Sequence, residues 1–390
     1  MTKVPEKYRN REQTYVKHCL LQTYLERLFM IIGQSQSIIR YVDCFSGPWN
    51  EQDENLQDTS IGISIETMRK CRDGLKRMGK EVAFEALFIE KNKQAFQKLQ
   101  SHLKSDMSPN INATALNGEF YELREKILDW CGQNDFTFFF IDPKGWKKVV
   151  EIPTLEMLLK RPNSEFLINF MYDFLLRTHP QESFQDDMRE IFGEIPETEG
   201  MAPEQKESHL IKLYRRNLKR IAPSRGGVPR TAHVAVLYPV RDRSLYHLVY
   251  LTRHAKGIQV FMEASEKLEI VQKKARAQAK QEYRETRTHQ IEMFPAETDI
   301  VPDNKIGLEE VKSYWLKKLT VTPFQLGIDQ LADMLEDTGW FESDFQAAFG
   351  ELAKQGIVAN LDDKTNRRTK KFVHFHANSN QGEYLIRLKA

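Results

Sequence analysis

Three apolar runs that each end on an acidic residue constrain this chain more than any other feature. They are IIRYVD, ending at Asp43, VAFEALFIE, ending at Glu90, and FTFFFID, ending at Asp142. Continuous apolar runs of this length predict strands buried on both faces, as in a parallel sheet covered by helices. In such sheets ligands bind outside the carboxyl ends of the strands. We therefore expect the three carboxylates to face one crevice.

Helical patterns alternate with these strands. Apolar residues recur at helical spacing over residues 12–32, and Thr59 or Ser60 is a plausible N-cap for a helix that runs to about Lys76. Further helical patterns are KQAFQKLQSHLK, YELREKILDWC and TLEMLLKR, and further strand patterns are ATALN and SEFLINF. About five β-α units in succession predict a mostly parallel, doubly wound sheet.

Two later strand patterns, HVAVLYPV and YHLVYLTRH, are separated only by RDRSL. So short a connection permits a hairpin but not a helical crossover. A closing antiparallel strand is typical of methyltransferase sheets and not of dehydrogenase sheets. The predicted fold class is therefore α/β, with a Rossmann-like sheet of the class I methyltransferase type over residues 1–262 and a helical insertion at about 180–225.

The C-terminal third has a different pattern. Residues 263–304 predict an exposed charged helix followed by a proline-containing linker. Over residues 305–390, three helical patterns precede IVANLDD, a basic turn and FVHFHA, which predicts a winged helix-turn-helix domain. Basic residues on the turn are expected to bind nucleic-acid phosphates, although a solvated turn or a protein contact is the alternative. They are Lys364, Arg367, Arg368, Lys370 and Lys371.

Composition limits the class of protein. The 57 lysines and arginines nearly balance the 55 acidic residues, so any nucleic-acid surface must be local. Four cysteines without a CxxC spacing suggest neither a zinc site nor an iron–sulfur cluster, and they are typical of reduced thiols in the cytoplasm. The polar N-terminus predicts no signal peptide, and the apolar runs are too short to span a bilayer.

The turn after the first strand, CFSGPWN, holds one glycine and lacks the GxGxxG pattern. A bound pyrophosphate, and with it a dinucleotide oxidoreductase, is therefore disfavoured. S-adenosylmethionine has no phosphates and demands less of the turn. We expect its methionine end to be held by residues that surround this turn. They are Asp43, Phe45, Ser46, Gly47 and Trp49, whose indole either stacks on the cofactor or plugs the loop.

The following strand ends supply further candidates. Glu90 is placed to accept both ribose hydroxyls, or else it caps the next helix. Asn117 and Gly118 follow the third strand, where they contact the adenine edge or form a simple turn. No metal is expected, because methyl transfer from a sulfonium depends mainly on positioning.

The run FFFIDPKGW predicts an acceptor pocket. Asp142 would hold an exocyclic amine, Pro143 would fix the backbone, and Trp146 would stack on a flipped base. Lys144 would contact a phosphate or act as a base. An ordinary Asp-Pro turn is the alternative.

Together, EQTYVKHCLLQTYL, YVDCFSGPW, DTSIG, FIEK, IDPKGW and YHLVYLTRHAKG resemble the three-Cys-motif partner (TcmP) family over residues 11–262. The C-terminal region resembles the winged-helix domain often appended to it. The family is similar to class I methyltransferases, particularly ribosomal-RNA adenine-N6 enzymes with a Lys-His helix before the first strand. The resemblance implies that Lys17 and His18 lie over the cofactor or the target base. The alternative for His18 is an exposed position on the helix. It also implies a radical-SAM-like three-Cys-motif partner protein.

Two departures from these patterns matter. Trp49 replaces a glycine of the first loop, and Lys144-Gly145 follows Asp142-Pro143 where the N6 enzymes have a second proline. The sequence therefore predicts an S-adenosylmethionine-dependent methyltransferase that acts on a base amine of RNA or DNA. The alternative is a non-catalytic, methyltransferase-like module that brings nucleic acid to the partner.

Overall fold

A seven-stranded sheet forms the centre of the computed structural model. The structure describes residues 4–47, 56, 58–105, 110–143, 149–173, 175, 185–290, 307–364, 368–376 and 381–388. The strands of the central sheet are β1 (Ile38–Asp43), β2 (Ala83–Glu90), β3 (Ile111–Asn117), β4 (Phe136–Ile141), β5 (Ser164–Phe170), β6 (Arg230–Leu237) and β7 (Ser244–Thr252). Their order across the sheet is β3-β2-β1-β4-β5-β7-β6.

The strand directions confirm the predicted mixed sheet. Strands β1 to β5 pair in parallel with their neighbours, whereas β7 runs antiparallel to both β5 and β6. The two last strands form the expected hairpin. Because β7 is reversed, its first residue lies at the same edge of the sheet as the carboxyl ends of β1 to β5.

Helices cover both faces of the sheet. They are α1 (Glu12–Ile32), α2 (Ser60–Arg77), α3 (Lys93–Ser105), α4 (Phe120–Cys131), α5 (Ile152–Leu159), α6 (Gln185–Phe192), α7 (Pro203–Ile221) and α8 (Ala255–Thr288). One apolar core joins α1, α2, α3 and α8 to one face, and a second joins α4 to α7 to the other. Successive residues of a strand point to opposite faces, so Phe138 and Phe140 lie in the first core and Phe139 lies in the second. None of the described helices is both long enough and apolar enough to cross a bilayer.

Of the two predicted N-cap candidates, Thr59 and Ser60, the structure selects Thr59, whose hydroxyl accepts a hydrogen bond from the backbone N–H of Gly62 at 3.2 Å. The helical insertion contains α6 and α7, between β5 and β6.

A buried polar cluster fixes α1 across the sheet. The Tyr24 hydroxyl donates to Glu165 at 2.9 Å and lies 2.6 Å from the Tyr250 hydroxyl, and Thr252 donates to the other Glu165 oxygen at 2.7 Å. Glu165 is the second residue of β5, near the amino edge. The residues of α1 that precede Tyr24 therefore extend toward the carboxyl edge, where Lys17 forms an ion pair with Asp142.

Helix α8 departs from the expected exposed helix. It begins at Ala255, and its first two thirds pack on α1 and β6 through buried Phe261, Leu268 and Ala275. The sequence signal was weak, because these apolar residues are widely spaced among many charges. The prediction of an exposed helix was wrong for this part of the chain.

The C-terminal region contains α9 (Leu308–Lys318), β8 (Phe324–Gly327), α10 (Ile328–Thr338), α11 (Glu342–Lys354), β9 (Val358–Asn360) and β10 (Gly382–Arg387). The three expected helices are present, and the strands form an antiparallel sheet in the order β8-β10-β9. Residues 372–376 of the predicted run FVHFHA form no strand. Instead, the side chain of Gln346 accepts from the Val373 N–H at 3.1 Å and donates to its carbonyl at 2.7 Å. Val373 thus bonds to a side chain and not to a neighbouring strand. The strand that pairs with β9 is β10.

Polar contacts join this region to the central sheet. Glu336 of α10 accepts from Lys219 at 2.7 Å and from the backbone N–H of Thr231 at 3.1 Å. Arg230 forms ion pairs with Asp329 and Asp333. The C-terminal helices are thus anchored on β6 and α7.

Gly257 provides a test of the buried cluster around Glu165. A Cβ added there would lie 2.6 Å from the Tyr250 hydroxyl and 2.8 Å from the Thr252 hydroxyl. We expect Gly257→Ala to lower the free energy of unfolding by about 1–3 kcal/mol, the usual cost of overpacking. Urea denaturation measures this change. Gly74→Ala is the control, because the nearest atoms to its Cβ belong to the flexible side chain of Met30. Equal effects of the two substitutions would contradict the packing account.

Candidate cofactor and substrate site

The three acidic strand ends meet at one edge of the sheet. Asp43 is paired in register with Phe88 of β2 and Phe140 of β4, and Glu90 and Asp142 each lie two residues further along those strands. This common edge is where an open α/β sheet binds its ligands.

Glu90 and Gly47 are in close contact. The Glu90 side chain is buried, and a Cβ on Gly47 would lie only 1.6 Å from its Oε2. The absence of a side chain at residue 47 is therefore required for the position of this carboxylate. This is a steric role for the glycine and does not involve a positive φ.

Glu90 is not the N-cap of the next helix. The side chain of Asn92 caps α3, accepting from the N–H groups of Gln94 at 2.9 Å and Ala95 at 3.0 Å. Glu90 Oε1 accepts from the Asn92 N–H at 2.6 Å, which fixes the carboxylate beside the turn.

Asn117 and Gly118 bind the backbone of the neighbouring strand end. The Asn117 amide donates to the carbonyls of Glu90 at 2.8 Å and Lys91 at 3.2 Å, and the Gly118 N–H donates to Glu90 at 3.2 Å. These contacts position the turn after β2.

Asp43 organises the first turn from within. It is fully buried, and its two oxygens accept from the Phe45 N–H at 3.0 Å and from the Ser60 hydroxyl. Ser46 donates its N–H to Ile89 and its hydroxyl to the Asp43 carbonyl. Burial raises the pKa of Asp43 to about 6, although the hydrogen bonds from Ser60 and Phe45 act in the opposite direction. Asp43 thus joins β1, its turn and the start of α2.

Asp142 is held by two other residues. Lys17 of α1 pairs with Oδ2, and the Asn169 amide of β5 donates to Oδ1 at 2.6 Å. The Lys17 ammonium also lies 5.9 Å from the centre of the Tyr246 ring. Asp142 is partly exposed, with 19% of its side-chain surface accessible, so it can reach a ligand.

Asn169 was missed by the sequence reasoning. It is 3% exposed, and its Oδ1 has no hydrogen-bond partner among the residues that the structure describes. The available signal was a polar residue near the end of the apolar run SEFLINF. A buried acceptor without a donor costs about 1–3 kcal/mol, so this oxygen is suited to a donor group of a ligand.

His18 is buried, which excludes the exposed position considered as the alternative. Its Nδ1 lies 3.1 Å from the Tyr8 hydroxyl. Burial, aided by the Lys17 ammonium, lowers the pKa of His18 to about 4, so the imidazole is neutral at pH 7.

Pro143 is described and buried directly after Asp142. Four other candidates lie outside the described residues: Trp49, Lys144, Trp146 and Arg367.

The basic turn of the C-terminal region is partly used for internal contacts. Arg368 pairs with the buried Glu383 at 2.8 Å, and Glu383 also accepts from the His374 N–H and the Asn360 amide at 2.7 Å each. Lys364, Lys370 and Lys371 are exposed. Arg368 therefore fixes the turn, whereas the three lysines face solvent.

The start of α11 contacts α8. Glu342 accepts from Gln259 at 2.7 Å, and Ser343 donates to Glu266. The winged-helix prediction would make α11 the recognition helix, whose start contacts base edges in helix-turn-helix proteins. Here α8 covers part of that end.

Comparisons with known proteins give limited information. No family model matches the sequence, and no curated protein matches it either. A crystallised protein from Legionella pneumophila is similar in structure at 8% identity and a TM-score of 0.32, over 60% of this chain and 84% of that one. Loganic acid methyltransferase with SAH is similar at 11% identity and a TM-score of 0.26, over 91% and 93%. Likenesses at these TM-scores carry no inference about this chain, and the three-Cys-motif partner resemblance stays a prediction.

The raised pKa of Asp43 predicts a pH effect on stability. Between pH 3.8 and about 6 the folded chain keeps a proton that the unfolded chain has released, so stability falls as pH rises through this window. Asp43→Asn preserves the shape and lets the new amide donate to Ser60. We expect it to raise the free energy of unfolding by about 2–3 kcal/mol at pH 8, at about 1.4 kcal/mol per pKa unit, and to have little effect at pH 3.5.

Chemical denaturation at the two pH values provides the measurement. Asp73→Asn is the control, because Asp73 is exposed on α2. If Asp43→Asn raised the free energy of unfolding equally at both pH values, proton binding at Asp43 would not be the cause.

Proposed function

We propose that this protein is an S-adenosylmethionine-dependent methyltransferase that acts on a base amine of RNA or DNA. One observation carries the proposal: Asp142, held between Lys17 and Asn169, lies at the same sheet edge as the contact between Glu90 and Gly47. The buried carboxylate of Glu90 suits a ribose, and the positioned carboxylate of Asp142 at the same edge suits an amine.

The described residues include groups suited to this cofactor. Glu90 offers a buried carboxylate that would accept from the ribose hydroxyls, and the turn at Gly47 lies directly against it, where the methionine end would bind. Asp43 holds this turn in place, and Asn117 and Gly118 border the expected adenine position. Phosphate-binding glycines are not required.

Asp142 would orient the acceptor. When bound, the cofactor supplies a methyl group already activated on a sulfonium. The Asp142 carboxylate would accept one N–H of the target amine, directing the nitrogen lone pair, and would receive the proton released as the N–C bond forms. The Asn169 Oδ1, which lacks a donor among the described residues, would accept a second N–H. Lys17 keeps Asp142 in place across the edge.

The neutral His18 and buried Pro143 would shape the same pocket. Trp49, Lys144 and Trp146, from the sequence patterns, complete the proposed site as cofactor or base contacts.

The C-terminal region is proposed to be a winged-helix domain. Its helices and strands alternate in the order α9, β8, α10, α11, β9, β10, and its strands form one antiparallel sheet. The cysteine pattern suggests a cytoplasmic protein, and the resemblance suggests that it works with a radical-SAM-like three-Cys-motif partner. We propose that the exposed lysines and strands of this domain contact that partner or nucleic acid.

A second function is a non-catalytic module that binds nucleic acid for the partner. It is favoured by the ion pair between Asp142 and Lys17, which a substrate amine would have to share, and by the missing second proline after Pro143.

Gly47→Ala tests the cofactor site. The new methyl group would displace the Glu90 carboxylate, so we expect affinity for S-adenosylmethionine to fall at least about tenfold, the loss expected for one hydrogen bond to a charged group. Isothermal titration measures it. Gly74→Ala is again the control and should bind like the parent. Failure of the parent protein to bind the cofactor at millimolar concentration would refute the methyltransferase proposal.

Label transfer from radioactive S-adenosylmethionine to total RNA or DNA tests catalysis. We expect Asp142→Ala to lower the rate by at least about 100-fold, the usual contribution of a proton-accepting side chain, and Asn169→Leu to lower it less. Asn163→Leu, one residue before β5 at the opposite edge, should retain full transfer. Nucleic-acid binding without any transfer would favour the non-catalytic module, and transfer that survives Asp142→Ala would remove Asp142 from its assigned role.

A further inference from the structure

The connection between β6 and β7 carries basic and aromatic residues at the proposed catalytic edge. We call residues 238–243, YPVRDR, the Tyr238 turn. Because β7 runs antiparallel to β5, this turn projects from the edge where β4 and β5 end. Lys17 lies against Tyr246, only three residues beyond Arg243. At about 3.4 Å per strand residue the turn is roughly 10 Å from the Asp142 pocket.

The Tyr238 turn is held rigidly by α8. Arg276 donates to the carbonyls of Tyr238 and Arg241, each at 3.0 Å, and pairs with Asp242. Lys280 also reaches Asp242, at 2.9 Å. Hydrogen bonds to two of its carbonyls hold the backbone of the turn in place.

Cations outnumber carboxylates around the turn. Of the four basic side chains there, three form ion pairs with two carboxylates: Arg243 with Asp173, and Arg276 and Lys280 with Asp242. The Arg241 guanidinium forms no ion pair with any residue in the described part of the chain, and both Arg241 and Arg243 are exposed. This excess is local, in a chain whose total charge is nearly balanced.

An aromatic ring lies among these cations. The Arg243 guanidinium is 4.7 Å from the centre of the Tyr238 ring, and that of Arg241 is 5.9 Å away. Proteins that bind single-stranded nucleic acid combine cations for the backbone with aromatic rings on which bases stack. The C-terminal region offers a weaker case, since Arg368 is bound to Glu383 and α8 covers part of the start of α11.

We propose that the Tyr238 turn is the surface on which single-stranded RNA or DNA approaches the site. Arg241 and Arg243 contact backbone phosphates, and Tyr238 stacks on a base next to the one that enters the pocket. This inference rests on the proposed function, because it assumes a nucleic-acid substrate. It places the main binding surface beside Asp142 and not on the basic turn of the C-terminal region.

The test compares three double variants of the full-length protein by fluorescence anisotropy with a labelled mixed-sequence RNA of about 16 nucleotides. Arg241→Gln with Arg243→Gln removes two charges from the Tyr238 turn, and glutamine still donates to Asp173. We expect the slope of log affinity against log salt to fall by about 1.4, which corresponds to about 25-fold weaker binding at 0.1 M salt.

Lys76→Ala with Arg77→Ala is the matched control. It removes the same charge from the end of α2, at the opposite edge of the sheet, and should change the affinity less than about twofold. Lys370→Ala with Lys371→Ala represents the rival surface. A larger loss for this pair than for the arginine pair would overturn the proposal.

Substitutions of Tyr238 provide a second test, which does not depend on charge. Tyr238→Ala should weaken RNA binding about tenfold without changing the salt slope, and Tyr238→Phe should restore it, because a phenyl ring still stacks. Equal losses for both substitutions would exclude stacking.

Failure of the proposed function is a separate result. If the parent protein binds S-adenosylmethionine but no RNA or DNA, the nucleic-acid substrate itself is wrong. If the parent binds RNA and the Tyr238 turn variants bind equally well, only the location proposed here is wrong. Binding of an acidic peptide of equal charge as tightly as RNA would make the turn a protein contact.

Discussion

The hydrogen-bonded contact of Tyr24 with Glu165 and Tyr250 anchors α1, the helix that carries Lys17 to the candidate site. Glu165 is a buried carboxylate near the start of β5, and it accepts from hydroxyls on α1 and β7. A helix that packed by apolar contacts alone could rotate or slide, whereas an unsatisfied buried carboxylate would cost several kcal/mol. The contact therefore fixes the register of α1, and two turns earlier on that helix Lys17 meets Asp142. An interaction at the amino edge of the sheet thus helps to position Lys17 at the carboxyl edge.

The close contact between Glu90 and Gly47 likewise fixes the position of a side chain at the first turn. Glu90 lies against residue 47 because glycine leaves room for it. Asp43 stabilises the same turn by accepting hydrogen bonds from the Phe45 N–H and the Ser60 hydroxyl. The two carboxylates have different tasks. Asp43 is buried among its own hydrogen bonds and stabilises the turn, whereas Glu90 lies beside the turn with one oxygen bonded to Asn92 and the other against Gly47. Residues of the same type at equivalent strand ends therefore act as support in one case and as a candidate ligand in the other.

Helix α8 connects the site to the C-terminal region. It packs on α1, its Arg276 clamps the Tyr238 turn, and its Gln259 and Glu266 bind the start of α11. One helix therefore supports the Lys17 side of the pocket, the proposed nucleic-acid surface and the C-terminal helices. A change in the packing of α8 would be felt at all three places, since buried contacts of this kind leave little free volume.

The sequence by itself determined the order of strands and helices, the hairpin and the three acidic strand ends, because apolar runs and helical spacing are local signals. It also placed Asp43, Glu90 and Asp142 at one edge, since parallel strands end together. Only the tertiary structure decided that Asn169 binds Asp142 and that α8 is largely buried. It likewise decided that β10, and not the predicted strand FVHFHA, pairs with β9, whereas Val373 bonds to the side chain of Gln346. These outcomes depend on contacts between residues far apart in the chain, which no local pattern encodes.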